Sequence, residues 1–147
     1  MISLMVLRPG LPGVALAACV MFASPAFAET VSFKADLKAS EEVPPNDSKA
    51  TGTVTATYDT ASKKLTWKGN YSGLTGPATM AHFHGPAEPG KNAGVAVPIT
   101  PSASPFENSA NLTDAQAADL LAGRWYVNVH TGAHPGGEIR GQLVKGM

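Results

Sequence analysis

Residues 31–39 read VSFKADLKA, and apolar and polar side chains alternate at every position along them. Successive side chains of a β-strand point to opposite faces, so this pattern predicts a strand with one buried and one solvated face. Pro44 and Pro45 follow soon after, and they are expected to end the strand because proline fixes φ and donates no backbone hydrogen bond. The stretch therefore predicts a sheet with an apolar inner face.

Similar alternating runs continue along the chain. Residues 101–111 carry no such pattern and are expected to form a loop, whereas Thr113 and Gln116 form a capping box that predicts one short helix ended by Gly123. Short strands joined by turn-rich segments predict an all-β fold, namely an antiparallel Greek-key β-sandwich or barrel with one short helix. The further strands are predicted at residues 53–58, 64–71, 78–84, 95–99, 124–131 and 138–145.

The phase of the alternation also predicts which side chains form the core. Polar residues occupy the opposite phase of each strand, so we expect the outer face of the sheet to be solvated. The side chains expected to be buried are Phe33, Leu37, Trp67, Phe83, Trp125, Val127, Val129, Ile139 and Leu143.

Residues 1–28 have the pattern of a secretory signal peptide. Arg8 precedes an apolar run at residues 11–22, which is too short to span a bilayer. Ala26 and Ala28 then form the A-x-A pattern that signal peptidase recognises. We expect cleavage after Ala28 and an exported protein, either periplasmic or secreted.

Cys19 supports a second interpretation of the N-terminus, because residues 16–19 resemble a bacterial lipobox that would lipidate this cysteine. It is the only cysteine, so residues 29–147 form one disulfide-free domain of about 120 residues. This mature chain contains no predicted transmembrane segment. Its acidic and basic side chains nearly balance, which argues against nucleic acid as a partner.

Separated landmarks follow one another along the domain, at residues 33–37, 42–45, 81–85, 112–113, Leu120, Gly123, 126–131 and 135–143. Taken together in this order, they resemble the CHRD (chordin) domain family. That resemblance implies an all-β extracellular or periplasmic domain and leaves the biochemical role open. Chordin-type proteins carry such domains beside cysteine-rich modules that bind growth factors, and because this chain has no such module, growth-factor binding is not carried over.

The four histidines, His82, His84, His130 and His134, all lie in these landmarks. Residues i and i+2 of a strand share a face, so His82 and His84 are expected to project side by side, with His130 on the same side of a neighbouring strand. Neutral imidazole is the commonest metal ligand, and copper(II) has the highest intrinsic affinity among the divalent metals. The four histidines therefore predict a metal site, most simply for copper, with zinc as the alternative.

Three nearby residues have more than one interpretation. Met80 shares the face of His82, where its thioether either helps to hold copper(I) or simply packs. Glu138 is expected near His130, where its carboxylate either orients that imidazole through a hydrogen bond or forms an ordinary surface salt bridge. Arg140 is expected to form an ordinary surface salt bridge, with pairing to an anion as the alternative.

These observations predict an exported protein that holds or delivers copper, with a metal-donor or metal-acceptor protein as its partner. The alternative is a metal-free matrix or cell-surface interaction domain whose histidines are structural. No hydrolase or nucleotide-binding signature is present, so an enzyme is the less favoured interpretation. A copper oxidoreductase remains open, because it requires a free coordination position that sequence does not reveal.

Overall fold

The computed structural model describes residues 27–146. The predicted signal peptide up to residue 26 and the alternative lipobox lie outside the described residues. The described elements are a short 3-10 helix at Ala39–Glu41, a helix α1 at Asp114–Leu121, and strands β1 (Thr30–Lys38), β2 (Thr51–Asp59), β3 (Lys64–Ser72), β4 (Ala78–His84), β5 (Val95–Pro98), β6 (Phe106–Asn111), β7 (Tyr126–Thr131), β8 (Ile139–Gln142) and β9 (Val144–Lys145).

The nine strands form one antiparallel sheet. Its order is β5-β4-β7-β8-β1-β2-β3-β6, and β9 pairs with β1 beside this path. The sheet curls into a nearly closed barrel, with β5 and β6 at its two ends. This architecture, with its single short helix among the described residues, confirms the predicted fold class. None of the helices in residues 27–146 has the length and apolar character needed to cross a bilayer.

The inside of the barrel is the apolar core, and all nine residues predicted to form it are buried. Phe83 lies at its centre, where its ring meets the edge of Trp67 at a centroid distance of 5.1 Å and lies 5.9 Å from Trp125. Such aromatic pairs add to the free energy gained from burying their area. The alternation of residues 31–39 is therefore a correct guide to the inner face.

The helix begins and ends where the sequence predicts. Thr113 accepts a hydrogen bond from the backbone of Gln116, whose side chain in turn accepts from the Thr113 backbone, so the capping box is formed. Leu120 faces the core, and Gly123 follows the helix with a φ of +75° that favours glycine.

The expectation that residues 101–111 form only a loop is wrong, because Phe106–Asn111 is strand β6. It pairs along the whole of its length with β3, and Phe106 packs into the core. The segment has a single large apolar residue and no β-branched one, so its strand conformation comes from pairing with the free edge of β3 rather than from local preference.

The expectation of a solvated outer face is right for one half of the barrel and wrong for the other. Outward residues of β1 and β3 are exposed, whereas every residue of β7 is buried. Two loops lie over β7 and β8, and we call them the first cover segment (residues 42–50) and the second cover segment (residues 85–94). They bring polar groups to the buried outer side chains, which would otherwise lose their hydrogen bonds to water.

Candidate functional site

Three histidines of the predicted site, His82, His84 and His130, lie on the outer face of β4 and β7. In the register of these strands Met80 pairs with His130, His82 with Asn128, and His84 with Tyr126. Directly opposite residues of antiparallel strands point to the same face, so these six side chains form three adjacent rungs. Strand pairing therefore brings together histidines that are 48 and 46 residues apart in the sequence.

Three histidines form a compact cluster. The His82 Nδ1 atom lies 3.2 Å from His130 Nε2, and one ring nitrogen from each of His82, His84 and His130 lies within 4.8 Å of the others. His84 and His130 are buried, whereas His82 is half-buried and forms the solvent side of the cluster. The cluster is therefore open towards water on one side.

Burial favours the neutral form of two imidazoles of the cluster, those of His82 and His84. It lowers the pKa of His82, and the neighbouring rings of His130 and His84 lower it further. For His84, burial lowers the pKa more than hydrogen bonding to the Ala93 carbonyl and the Asn128 side chain raises it. Neutral imidazole has a nitrogen lone pair, which is the form that binds metal ions.

Backbone carbonyls fix the orientation of two rings. His84 Nδ1 lies 3.0 Å from the Ala93 carbonyl oxygen, and His130 Nδ1 lies 2.9 Å from that of Pro135. A carbonyl oxygen only accepts hydrogen bonds, so the proton of neutral His130 belongs on Nδ1 and its lone pair on Nε2. Histidines that ligate metals commonly donate their second nitrogen in this way. His84 lies between two acceptors, because Asn128 Oδ1 is 2.9 Å from its Nε2, so the neutral ring donates to only one of them.

Arg140 lies beside the cluster and is not a surface residue. It is only 2% exposed, and its guanidinium donates to Asn92 Oδ1 and to the Lys91 carbonyl in the second cover segment. Its central carbon lies 3.4 Å from the centroid of the Tyr126 ring, which also stacks on His84. The expected surface salt bridge is therefore wrong, because the second cover segment encloses the arginine.

Glu138 does not orient His130, so that hypothesis is also wrong. Its carboxylate accepts hydrogen bonds from the side chains of Ser48, Thr75 and Thr131 and from the Thr75 backbone. Burial raises the pKa of Glu138, but these donors outweigh it and lower the pKa to about 2. Glu138 thus ties the first cover segment and the loop before β4 to the β7–β8 hairpin.

Glu42 is the residue near the site that sequence reasoning missed. It is 6% exposed, and its Oε1 atom makes no hydrogen bond in the described part of the chain. Burial raises its pKa to about 7, although the Arg140 charge and the nearby Asn128 amide lower it in part. A glutamate directly before Val-Pro-Pro gives no local signal of burial, because the covering loop places it there.

His134, the fourth histidine of the prediction, is not part of the cluster. It lies in the turn between β7 and β8, where its backbone N–H donates to the carbonyl of Thr131. Met80, by contrast, lies directly opposite His130 and is 46% exposed, so its thioether is accessible beside the cluster. The structure thus brings together three of the four predicted ligands and leaves Met80 free beside them.

A comparison with protein-family models matches the chain to the CHRD domain over residues 33–143. The match includes both histidine strands, the first and second cover segments, and Glu138. No curated protein and no solved structure matches the chain. CHRD domains are generally extracellular. Because the family match covers most of its length, the chain belongs to the CHRD domain family.

Proposed function

We propose that this domain is an exported metal-binding protein that holds copper through His82, His84 and His130. The observation that carries the proposal is the 3.2 Å separation of His82 Nδ1 and His130 Nε2. Metal–nitrogen bonds of about 2.0–2.1 Å in tetrahedral geometry place two ligating nitrogens about 3.3 Å apart. These two rings therefore already have the spacing of a metal-bound pair, with His84 close enough to become a third ligand.

The donor set favours copper. Imidazole nitrogens suit copper, zinc and nickel, and intrinsic affinity among divalent ions is highest for copper(II). Zinc is the alternative, because the same three rings can take a tetrahedral arrangement with one position left open. The exposed Met80 thioether beside His130 supports copper further, since thioethers select copper(I) over zinc.

Holding or delivering the metal fits the site better than catalysis. His82 is the half-buried ligand, so a metal-donor or metal-acceptor protein in the periplasm or outside the cell could exchange the ion from that side. A surface cleft lined in part by Met80 and His82 reaches the half-buried ring, and neither His84 nor His130 lines it. The metal position would therefore be reached mainly by small ligands or by a partner's own metal-binding side chain.

One observation favours a second function, a metal-free extracellular interaction domain. The histidines find hydrogen-bond partners without any ion: His84 with Ala93 and Asn128, and His130 with Pro135 and His82. Under this alternative the cluster is a structural network that joins the loops to β4 and β7.

Copper and zinc titration calorimetry on untagged protein separates the two functions. We expect one copper(II) ion per chain in the wild type and loss of binding in the variant His82→Ala/His130→Ala, because that variant lacks the preformed pair. His134→Ala is the matched control, since it removes a histidine outside the cluster, and it should bind as the wild type does. A wild type that binds neither metal would leave the interaction-domain function.

A further inference from the structure

Of the three rings in the cluster, His84 alone has both nitrogens engaged by groups outside the cluster. Its Nδ1 faces the Ala93 carbonyl, and its Nε2 lies 2.9 Å from Asn128 Oδ1. The pair His82 and His130, in contrast, has its facing nitrogens at metal-binding spacing. Two of the three candidate ligands, His82 and His130, thus have the spacing of a metal-bound pair. The Nε2 atom of the third, His84, contacts Asn128 instead.

We propose that Asn128 is a positioning residue: its Oδ1 accepts a hydrogen bond from His84 Nε2–H in the metal-free protein and must release it when the metal binds. The ring proton then belongs on Nδ1, where the Ala93 carbonyl accepts it. This inference rests on the proposed metal site. Asn128 is suited to the role because it is the residue opposite His82 on the neighbouring strand and lies on the same face as His130, two residues away. Any movement of its amide therefore occurs beside all three rings.

The far side of the Asn128 side chain is held in place. A Cβ atom added at Gly137 would lie 2.7 Å from Asn128 Nδ2 and would overlap Glu42 Oε1, so the amide and the carboxyl both pack against this glycine. The Nδ2 atom also faces the Gly136 carbonyl at 3.5 Å. The Gly136 carbonyl accepts from Nδ2, which turns Oδ1 towards His84.

The buried carboxyl of Glu42 limits how the Asn128 amide can turn. A carboxyl that is 94% buried and has an oxygen without a hydrogen bond costs free energy, and here it lies directly behind the amide. Glu42 and Gly137 together restrict the amide to one orientation. Metal binding at His84 Nε2 must then break the Nε2–H···Oδ1 hydrogen bond and leave the ring proton on Nδ1, facing the Ala93 carbonyl. The amide therefore lowers the apparent affinity for the metal by up to the free energy of that bond.

Copper(II) titration of Asn128→Ala tests the inference. A single hydrogen bond of ordinary net strength corresponds to roughly a three- to tenfold change in a binding constant, so the variant should bind copper(II) about that much more tightly than the wild type. A merely structural role for Asn128 predicts the opposite sign, because a disturbed site binds more weakly. Asn128→Thr is the second variant, since threonine is favourable in strands and too short to reach His84. Asn70→Ala, an exposed asparagine of β3, should leave the affinity unchanged.

Nitrogen-15 NMR of the metal-free protein gives an independent readout. Loss of the amide should move the His84 ring proton towards Nδ1 and so shift the resonances of both His84 ring nitrogens, while the His134 resonances stay in place. Wild-type binding with equal or weaker binding in both Asn128 variants overturns the inference and leaves the proposed function standing. Binding by neither the wild type nor the variants overturns both, and an unshifted His84 Nε2 resonance overturns the inference alone.

Discussion

The outer faces of the two halves of the barrel begin from the same sequence pattern and end in opposite environments. On β1 and β3 the outward residues, such as Lys34 and Lys68, are exposed, and those of β2 are exposed or half-buried. On β4, β7 and β8 the outward residues His84, Asn128 and Arg140 are buried beneath the two cover segments. Burying polar groups costs free energy unless each finds a partner, so the covered half needs a connected network where the open half needs none.

Two carboxyl groups in the covered half, those of Glu138 and Glu42, differ in how many hydrogen bonds they accept. Glu138 has four hydrogen bonds from three residues and stays ionised, with its pKa lowered to about 2. Glu42 has an oxygen without any partner, and its pKa is raised to about 7. Hydrogen bonds to the carboxylate, rather than depth of burial, decide which one stabilises the fold at neutral pH. The poorly satisfied one lies next to the candidate metal site.

The largest expected difference between the two halves is in the free energy of unfolding when one positive charge is removed from each. Arg140→Ala should lower the free energy of unfolding by about 3 to 5 kcal/mol, because it leaves Asn92, the Lys91 carbonyl and Glu42 without their buried cation. Lys68→Ala on the open half should change it by less than about 0.5 kcal/mol. Urea unfolding measures both, and equal effects would show that the cover segments do not enclose Arg140.

A somewhat smaller effect is expected from Glu138→Gln, which removes the ionised carboxylate from its donors. The pKa of Glu138 is lowered on folding, so its stabilisation is complete above the unfolded value of 4.5 and is lost as the pH falls towards about 2. The variant should be less stable than the wild type by about 3 kcal/mol at pH 7, with the difference shrinking below pH 4.5. Unfolding curves at pH 7 and pH 3 check this, and a difference independent of pH would contradict it.

Glu42→Gln should change the free energy of unfolding by about as much as Glu138→Gln, with the opposite sign. The pKa of Glu42 is raised on folding, so the native state binds more protons than the unfolded state between pH 4.5 and about 7, and stability falls as the pH rises through this window. The variant should therefore gain about 3 kcal/mol relative to the wild type between pH 4.5 and pH 8. His82 and His84 titrate with the opposite sign in both proteins, so the difference between the two unfolding curves isolates Glu42. A constant difference would contradict the raised pKa.

Much of the fold follows from local pattern, because alternation fixes which side chains of a strand share a face. Phe83 and Trp125 are in the core where their phase puts them, and the capping box at Thr113 starts the helix. Strand phase also places His82, His84 and His130 on one face. Local pattern does not predict β6, whose conformation depends on pairing with β3.

What sequence could not predict depends on contacts between distant segments. Whether an outward residue meets water or a loop is decided by the cover segments, which reach Glu138 and Arg140 from about 90 and 50 residues away in the chain. Asn128 and Glu42 gain their roles from the same contacts. His130 joins the cluster and His134 does not, because the strand ends between them at Thr131 and the chain turns away.

The proposed copper site is tested most directly by electron paramagnetic resonance of the untagged protein loaded with one equivalent of copper(II). We expect a single copper species whose nitrogen hyperfine splitting corresponds to three bound imidazoles in the wild type and to two in His84→Ala. A spectrum of copper free in buffer, or a wild-type spectrum unchanged in His82→Ala, His84→Ala and His130→Ala alike, would contradict it.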